Sequence, residues 1–291
     1  MMPALPRIAT RIALAVSLLF LVACSSTTFV YNRMDFLVPW YVNDYADLNG
    51  EQEDYLDELL APFLAWHRSQ ELPRYIEVLE EIEANLDEPA STEGVAEVAG
   101  HFEEAWLRLE DESLDWLLEL GAQLDDEQIQ EFLDELLKQQ RKFEKKYLER
   151  SDEEFYADSY KNMADSAKDY MGRLDKDQKQ IIESGTGQLK RSDNAWLSER
   201  AAWLEKLAVL LEREPGWQQR VRDAVAARPE TVSEEYQQVY EHNAQLLYAT
   251  MADLLNSRTE RQDRHLRQRL ADLRIDLETL VAQGEAAEDA G

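Results

Sequence analysis

The chain has 291 residues, with 60 acidic and 31 basic side chains and a formal charge of −29. No basic footprint exists, which excludes electrostatic binding of nucleic acid and a polybasic contact with lipid headgroups. Hydrophobic residues make up 44 % of the chain, enough for a core, so wholesale disorder is excluded as well.

In chain order, residues 1–23 carry Arg7 and Arg11 and no acidic residue, and residues 12–22 form an apolar run. That run is too short for a bilayer span, which takes ~20 residues. A charged start, a short apolar core and a small-residue exit read as a secretory signal. Cys24 is the only cysteine, so no disulfide forms within the chain. By residues alone, Cys24 is a lipid attachment point, an ordinary thiol or the end of a short membrane anchor. Leu21, Val22, Ala23 and Cys24 together resemble the lipobox of bacterial lipoproteins. The resemblance implies removal of residues 1–23, acylation of Cys24 on sulfur and then on nitrogen, and permanent attachment by several chains, palmitate among them. Ser25 in place of Asp favours, by the same resemblance, the periplasmic face of the outer membrane in a Gram-negative cell. Loss of Arg7 and Arg11 takes the charge from −29 to −31.

Residues 24–30 are expected to be a short lipidated tether. An aromatic segment follows, with Phe36, Trp40 and Tyr41 at its centre. So near the anchor it either touches the bilayer interface, where Trp and Tyr are enriched, or packs on the body of the protein. Packing is the expectation, with Pro39 opening a helical turn.

From residue 49 the apolar spacing is helical throughout, and no stretch alternates as a strand does. Leu56, Leu60 and Phe63 line a first helix, kinked by Pro62 and interrupted by Pro73. Tyr75, Leu79 and Leu86 line a second, ended by residues 87–89. Ser91 caps a third, Asp125 opens a fourth, and Ser151 with Glu154 caps a fifth. A sixth is expected over 175–213, weakened by Gly185 and Gly187. Pro215 and Pro229 bracket a short helix, and a long one follows from Val232. Leu266, Leu270, Leu273, Leu277 and Leu280 form a coiled-coil-like seam. Residues 284–291 read as a frayed, disordered acidic tail. The expected fold is all-α: one domain over 31–283, a bundle of long, mostly antiparallel helices. The tryptophans read as core. Residues 47–135 form an acidic half, with 28 acidic residues against Arg68, Arg74 and Arg108.

One pattern recurs at helix starts: Leu48 with Gln52, Leu124 with Gln128, Leu174 with Gln178, and Thr259 with Gln262, where Arg258 replaces the leucine. Each places Asn, Asp or Thr three residues before Gln, which is capping-box geometry. The pattern resembles the Leu-Thr-x-x-Gln motif of the Spy/CpxP group of periplasmic helical stress proteins, departing from it in having Thr only once. More broadly, the lipobox, residues 31–40 and the helical remainder resemble an uncharacterised family of proteobacterial lipoproteins, a resemblance that brings no activity with it.

The sequence carries no recognisable catalytic motif. The residues three before His67, His101, His242 and His265 are Leu64, Val98, Val239 and Gln262, so no Glu-x-x-His pair builds a di-iron site. There is no His-Glu-x-x-His, phosphate loop or Gly-x-Ser-x-Gly elbow. No catalytic residue, metal or cofactor is expected. The functional expectation is a lipid-anchored, non-enzymatic interaction or chaperone-like protein, with the membrane and an unknown envelope protein as partners. The alternative is a small-ligand or cation-binding helical module using the acidic half.

Overall fold

The computed structural model describes residues 26–288. Helices follow one another over that range, and no strand occurs among the described residues. The lipobox residues Leu21, Val22, Ala23 and Cys24 lie outside it.

Two short helices begin the chain, α1 (Ser26–Tyr31) and α2 (Met34–Asn43). The tether expected over 24–30 is therefore helical from Ser26. Pro39 stands inside α2 rather than opening it. The hydrogen bond it removes falls on the carbonyl of Asp35, an exposed residue, so the omission costs little.

Helix α3 (Gly50–Trp66) carries Pro62 internally. Pro73 interrupts less than expected: α4 (Leu72–Asn85) follows after one π-helical turn, His67–Glu71, in which the amide of Leu72 reaches the carbonyl of His67. The chain thus absorbs the proline as a wide turn within a continuous helical path. Helix α5 (Thr92–Gln123) starts at Ser91, whose hydroxyl accepts the amide of Gly94 at 3.0 Å. Helices α6 (Asp126–Leu148) and α7 (Asp152–Met171) start at capping boxes on Asp125 and Ser151.

The single helix expected over 175–213 is two, α8 (Lys176–Thr186) and α9 (Asp193–Leu210). Three contacts break it. Gly185 lies against Thr250. Asn243 takes both the amide and the carbonyl of Lys190 at 2.8 Å, fixing the linker. Asp193, buried, accepts Arg150 and Arg191 and pins the start of α9. Helix α10 (Trp217–Ala226) and the 3₁₀ turn Arg228–Glu230 lead to α11 (Glu234–Asn256) and α12 (Glu260–Glu288). Helix α12 continues four residues past Gly284, where the tail was expected to begin. Its end is held: Asn32 donates to Gln283 at 2.9 Å, and Gly284 abuts Arg68. Residues 289–291 lie outside the described range.

The expected bundle is present. Helix α12 packs antiparallel on α4, burying the seam leucines Leu266, Leu270, Leu277 and Leu280 against Leu72, Leu79 and Leu86. Helix α5 packs antiparallel on both α3 and α11, and α6 on α9. At roughly 1.5–3 kcal/mol for each fully buried leucine, these seams dominate the favourable side of folding.

The α8–α11 crossing depends on one missing carbon. A Cβ on Gly185 would lie 2.0 Å from Oγ1 of Thr250. Gly185→Ala is therefore expected to cost about 1–3 kcal/mol through overpacking. Adding Thr250→Ala should restore part of that loss, since it removes the two nearest atoms. Urea melts of the single and double variants check this; an unaffected single variant contradicts the close crossing.

Candidate functional site

The four glutamine helix starts are brought together in pairs. The capping boxes expected from spacing are present at Asn49/Gln52, Asp125/Gln128 and Asp175/Gln178. At the fourth, the Thr259 amide donates to Oε1 of Gln262 at 3.0 Å. Beyond capping its own helix, Gln52 meets Gln128: each amide nitrogen donates to the other's oxygen, at 2.9 and 2.7 Å. Gln178 and Gln262 do the same at 2.9 and 2.8 Å. Each nitrogen spends its second proton on a carbonyl beside its partner's helix start. Gln52 reaches Gln123 and Gln128 reaches Asp47, while Gln178 reaches Ser257 and Gln262 reaches Arg173. All four glutamines are buried, and each amide is fully hydrogen-bonded.

These are two copies of one latch. Leu48 and Leu56 flank Gln52 four residues either side, as Leu174 and Ile182 flank Gln178, and all four are buried. Leu120 and Leu254 stand eight residues before Gln128 and Gln262, in the same clusters. Leu124 is half-buried. Arg258, standing where a leucine is missing, reaches the carbonyls of Leu255 and Leu86 and the carboxylate of Asp263. Spacing shows each helix start but not its partner. The available signal was the flanking leucines with the similar separations, 76 and 84 residues. Chemically the latches close helix pairs; the amides are saturated and offer nothing to a substrate.

A second buried polar centre lies at the π-turn. Glu71 is 0 % exposed, and Arg108 forks onto its two oxygens at 2.9 and 3.0 Å while Arg74 adds a third contact. Burial pushes the Glu71 carboxyl up, but the two guanidiniums outweigh it and hold it below the usual range. Beside it the hydroxyl of Tyr31, its pKa raised by burial, faces Nδ1 of His67 at 2.8 Å. Burial also lowers the pKa of His67. A neutral imidazole accepting from Tyr31 fits both shifts, and ties α1 to the π-turn.

An open aromatic cleft of about 850 Å³ runs between α5, α9 and α11. Trp106, Leu107, Trp196, Trp203, Tyr236 and Tyr240 line it, with Glu103, Glu199 and Glu241 among its charges. Trp106 is 60 % exposed. Arg200, Lys206 and Arg228 also line it; Arg228 pairs with Glu110, and Arg200 donates to the amide oxygen of Gln140. A second cleft of about 550 Å³ shares Trp196, Tyr236 and Tyr240 with it. The tryptophans are thus not simply core. Only Trp217 is buried, while Trp40 and Trp106 stand open.

The aromatic segment also departs from expectation. Val38 and Val42 pack on the α3 cluster, and Tyr31 on the α4–α12 cluster. Phe36, Trp40 and Tyr41 do not pack on the bundle: they are 66, 59 and 56 % exposed. The physical reason is that α2 has one face to offer α3, and the valines occupy it. Tyr41 leans on Tyr45, its hydroxyl 2.8 Å from that of Tyr45 and the two ring centroids 5.1 Å apart. Tyr45 is itself pushed up to about 12, by burial first and by Tyr41 second.

Among the described residues, no group of three or more His, Cys, Asp and Glu is placed to hold a metal ion. Nor is any helix long and apolar enough to cross a membrane.

Fold and site define the chain as an all-α bundle closed by two glutamine latches and opened on one side by an aromatic cleft. It belongs to the family of unknown function DUF6279, whose family model matches residues 44–237. That match takes in Gln52, Gln128 and Gln178, and leaves out Gln262, residues 31–40 and the lipobox. No curated protein and no solved structure matches the chain.

Proposed function

We propose that this protein is a non-enzymatic interaction module, chaperone-like in its binding, held by lipid on Cys24 at the periplasmic face of the outer membrane. The observation that supports it is the open cleft: exposed Trp106 on α5 and Tyr240 on α11 over a partly apolar floor, with α5 rich in carboxylates. Such rings offer large contact area at low entropic cost, and stack on apolar and cationic side chains alike. Helix α5 carries Glu93, Glu97, Glu103, Glu104, Glu110, Asp111, Glu112, Asp115 and Glu119 against Arg108 alone; Arg108 is spent on Glu71, while Glu110 and Asp115 are paired with Arg228 and Arg222 from neighbouring segments. The matching partner is an exposed apolar segment bearing positive charge, as an incompletely folded envelope protein presents.

Two measurements test the reading. Mass spectrometry of the mature amino terminus from a Gram-negative host is expected to find acylated Cys24; an unmodified chain retaining Met1 refutes the anchor. Light scattering by a heat-unfolding basic protein should fall in the presence of this chain. The Trp106→Ala, Tyr240→Ala double variant, with its melting temperature unchanged, should lose most of that effect. Equal protection by both proteins, or by neither, refutes the cleft.

A further inference from the structure

We propose that the outer face of α1 and α2 is a second, non-covalent membrane contact, seating Phe29, Phe36, Trp40 and Tyr41 at the headgroup boundary of a phospholipid bilayer. The proposal rests on the reading of the amino-terminal segment as a membrane anchor. Its own ground is the ridge. Five large apolar side chains, Phe29, Val30, Phe36, Trp40 and Tyr41, are about half exposed or more within thirteen residues. Phe36 and Trp40 lie one helical turn apart on one face, and the opposite face of α2 is committed to α3 through Val38 and Val42. A concentration of exposed large apolar side chains of this kind marks a contact surface.

Lipid is the occupant for three reasons. Cys24, the lipid-bearing residue of that reading, stands two residues before α1 begins at Ser26, a reach of at most ~7 Å. The ridge is therefore held beside the bilayer that takes up the lipid. Its composition suits the interface, where Trp and Tyr place a ring in the apolar region and a polar edge in water. Its charge suits it as well: residues 26–43 contain only Arg33 and Asp35, whereas residues 47–135 carry 28 acidic groups against three arginines. A ridge without net charge is not repelled by an anionic bilayer as the neighbouring acidic half is, which favours this side of the bundle as the one facing the membrane.

The full chain is reconstituted into phosphatidylethanolamine–phosphatidylglycerol vesicles with brominated acyl chains, and flotation is measured first. Bromolipid is expected to quench part of the tryptophan emission, and Trp40→Phe should abolish that quenched part while flotation persists. Phe36→Ser with Tyr41→Ser should reduce it severalfold at unchanged circular dichroism. A chain that floats but shows the same quenching with and without Trp40 overturns the ridge and leaves the anchor standing. A chain that does not float overturns both. A photocrosslinking residue in place of Trp40 that captures a second copy rather than lipid also overturns the proposal.

Discussion

Replacing Gln178 by Ala is expected to cost about 3–5 kcal/mol. The side chain is fully buried and makes four hydrogen bonds: to the Asp175 amide at 3.0 Å, to the Ser257 carbonyl at 3.2 Å, and both ways with Gln262 at 2.9 and 2.8 Å. Each bond is worth ~1 kcal/mol net, and each buried group left without a partner costs ~1–3 kcal/mol more. Some of these groups keep a second partner, which holds the total below the simple sum. Gln178→Glu is the sharper variant, since a carboxylate has no proton to give Ser257 or Gln262. It should be about as damaging at pH 7 and recover part of the loss in acid, where the protonated acid donates once. A double-mutant cycle of Gln178 with Gln262 should show coupling above ~1 kcal/mol, while Gln178 with Gln128, which share no partner, should be additive. Denaturant titrations measure all of these; additivity within the Gln178–Gln262 pair would contradict the latch.

Arg108→Ala is expected to be the next most damaging change, at about 2–3 kcal/mol. Removing one partner of a wholly buried ion pair costs ~3–5 kcal/mol. Here the figure is lower because Arg74 remains on Glu71 and both guanidiniums are partly exposed. The sign of the pH dependence follows from the depressed Glu71 carboxyl. An acid more easily ionised in the folded state contributes stability that is fully present above its unfolded pKa, ~4.3. That contribution is lost as pH falls through the lower folded value. The wild type should therefore lose stability below about pH 5 more steeply than Glu71→Gln does. Parallel melting curves against pH for the two proteins would contradict the assignment. Replacing Glu71 by Leu together with Arg108 by Met should regain most of what Arg108→Ala loses, since no lone charge is then buried.

The sequence by itself determined the helices, their capped starts and the leucine seam. Those are set by local rules: a side-chain oxygen over an orphan amide, an apolar residue every third or fourth position, a proline lacking its proton. Boundaries failed where the deciding contact was remote. Thr250 and Asn243 broke the helix expected over 175–213, and Arg68 with Asn32 held the end of α12 that looked frayed. Nothing near Glu71 in sequence, other than Arg74, announces that a carboxylate can be buried there, because its main partner is thirty-seven residues away. Only the tertiary structure decided which glutamine closes on which. A capping box satisfies its own helix and says nothing of the amide's second proton or the oxygen's second lone pair. It also decided that Trp106 and Trp40 face outward: apolar spacing marks a stripe on a helix, but how wide a stripe is covered depends on how many neighbours arrive to cover it.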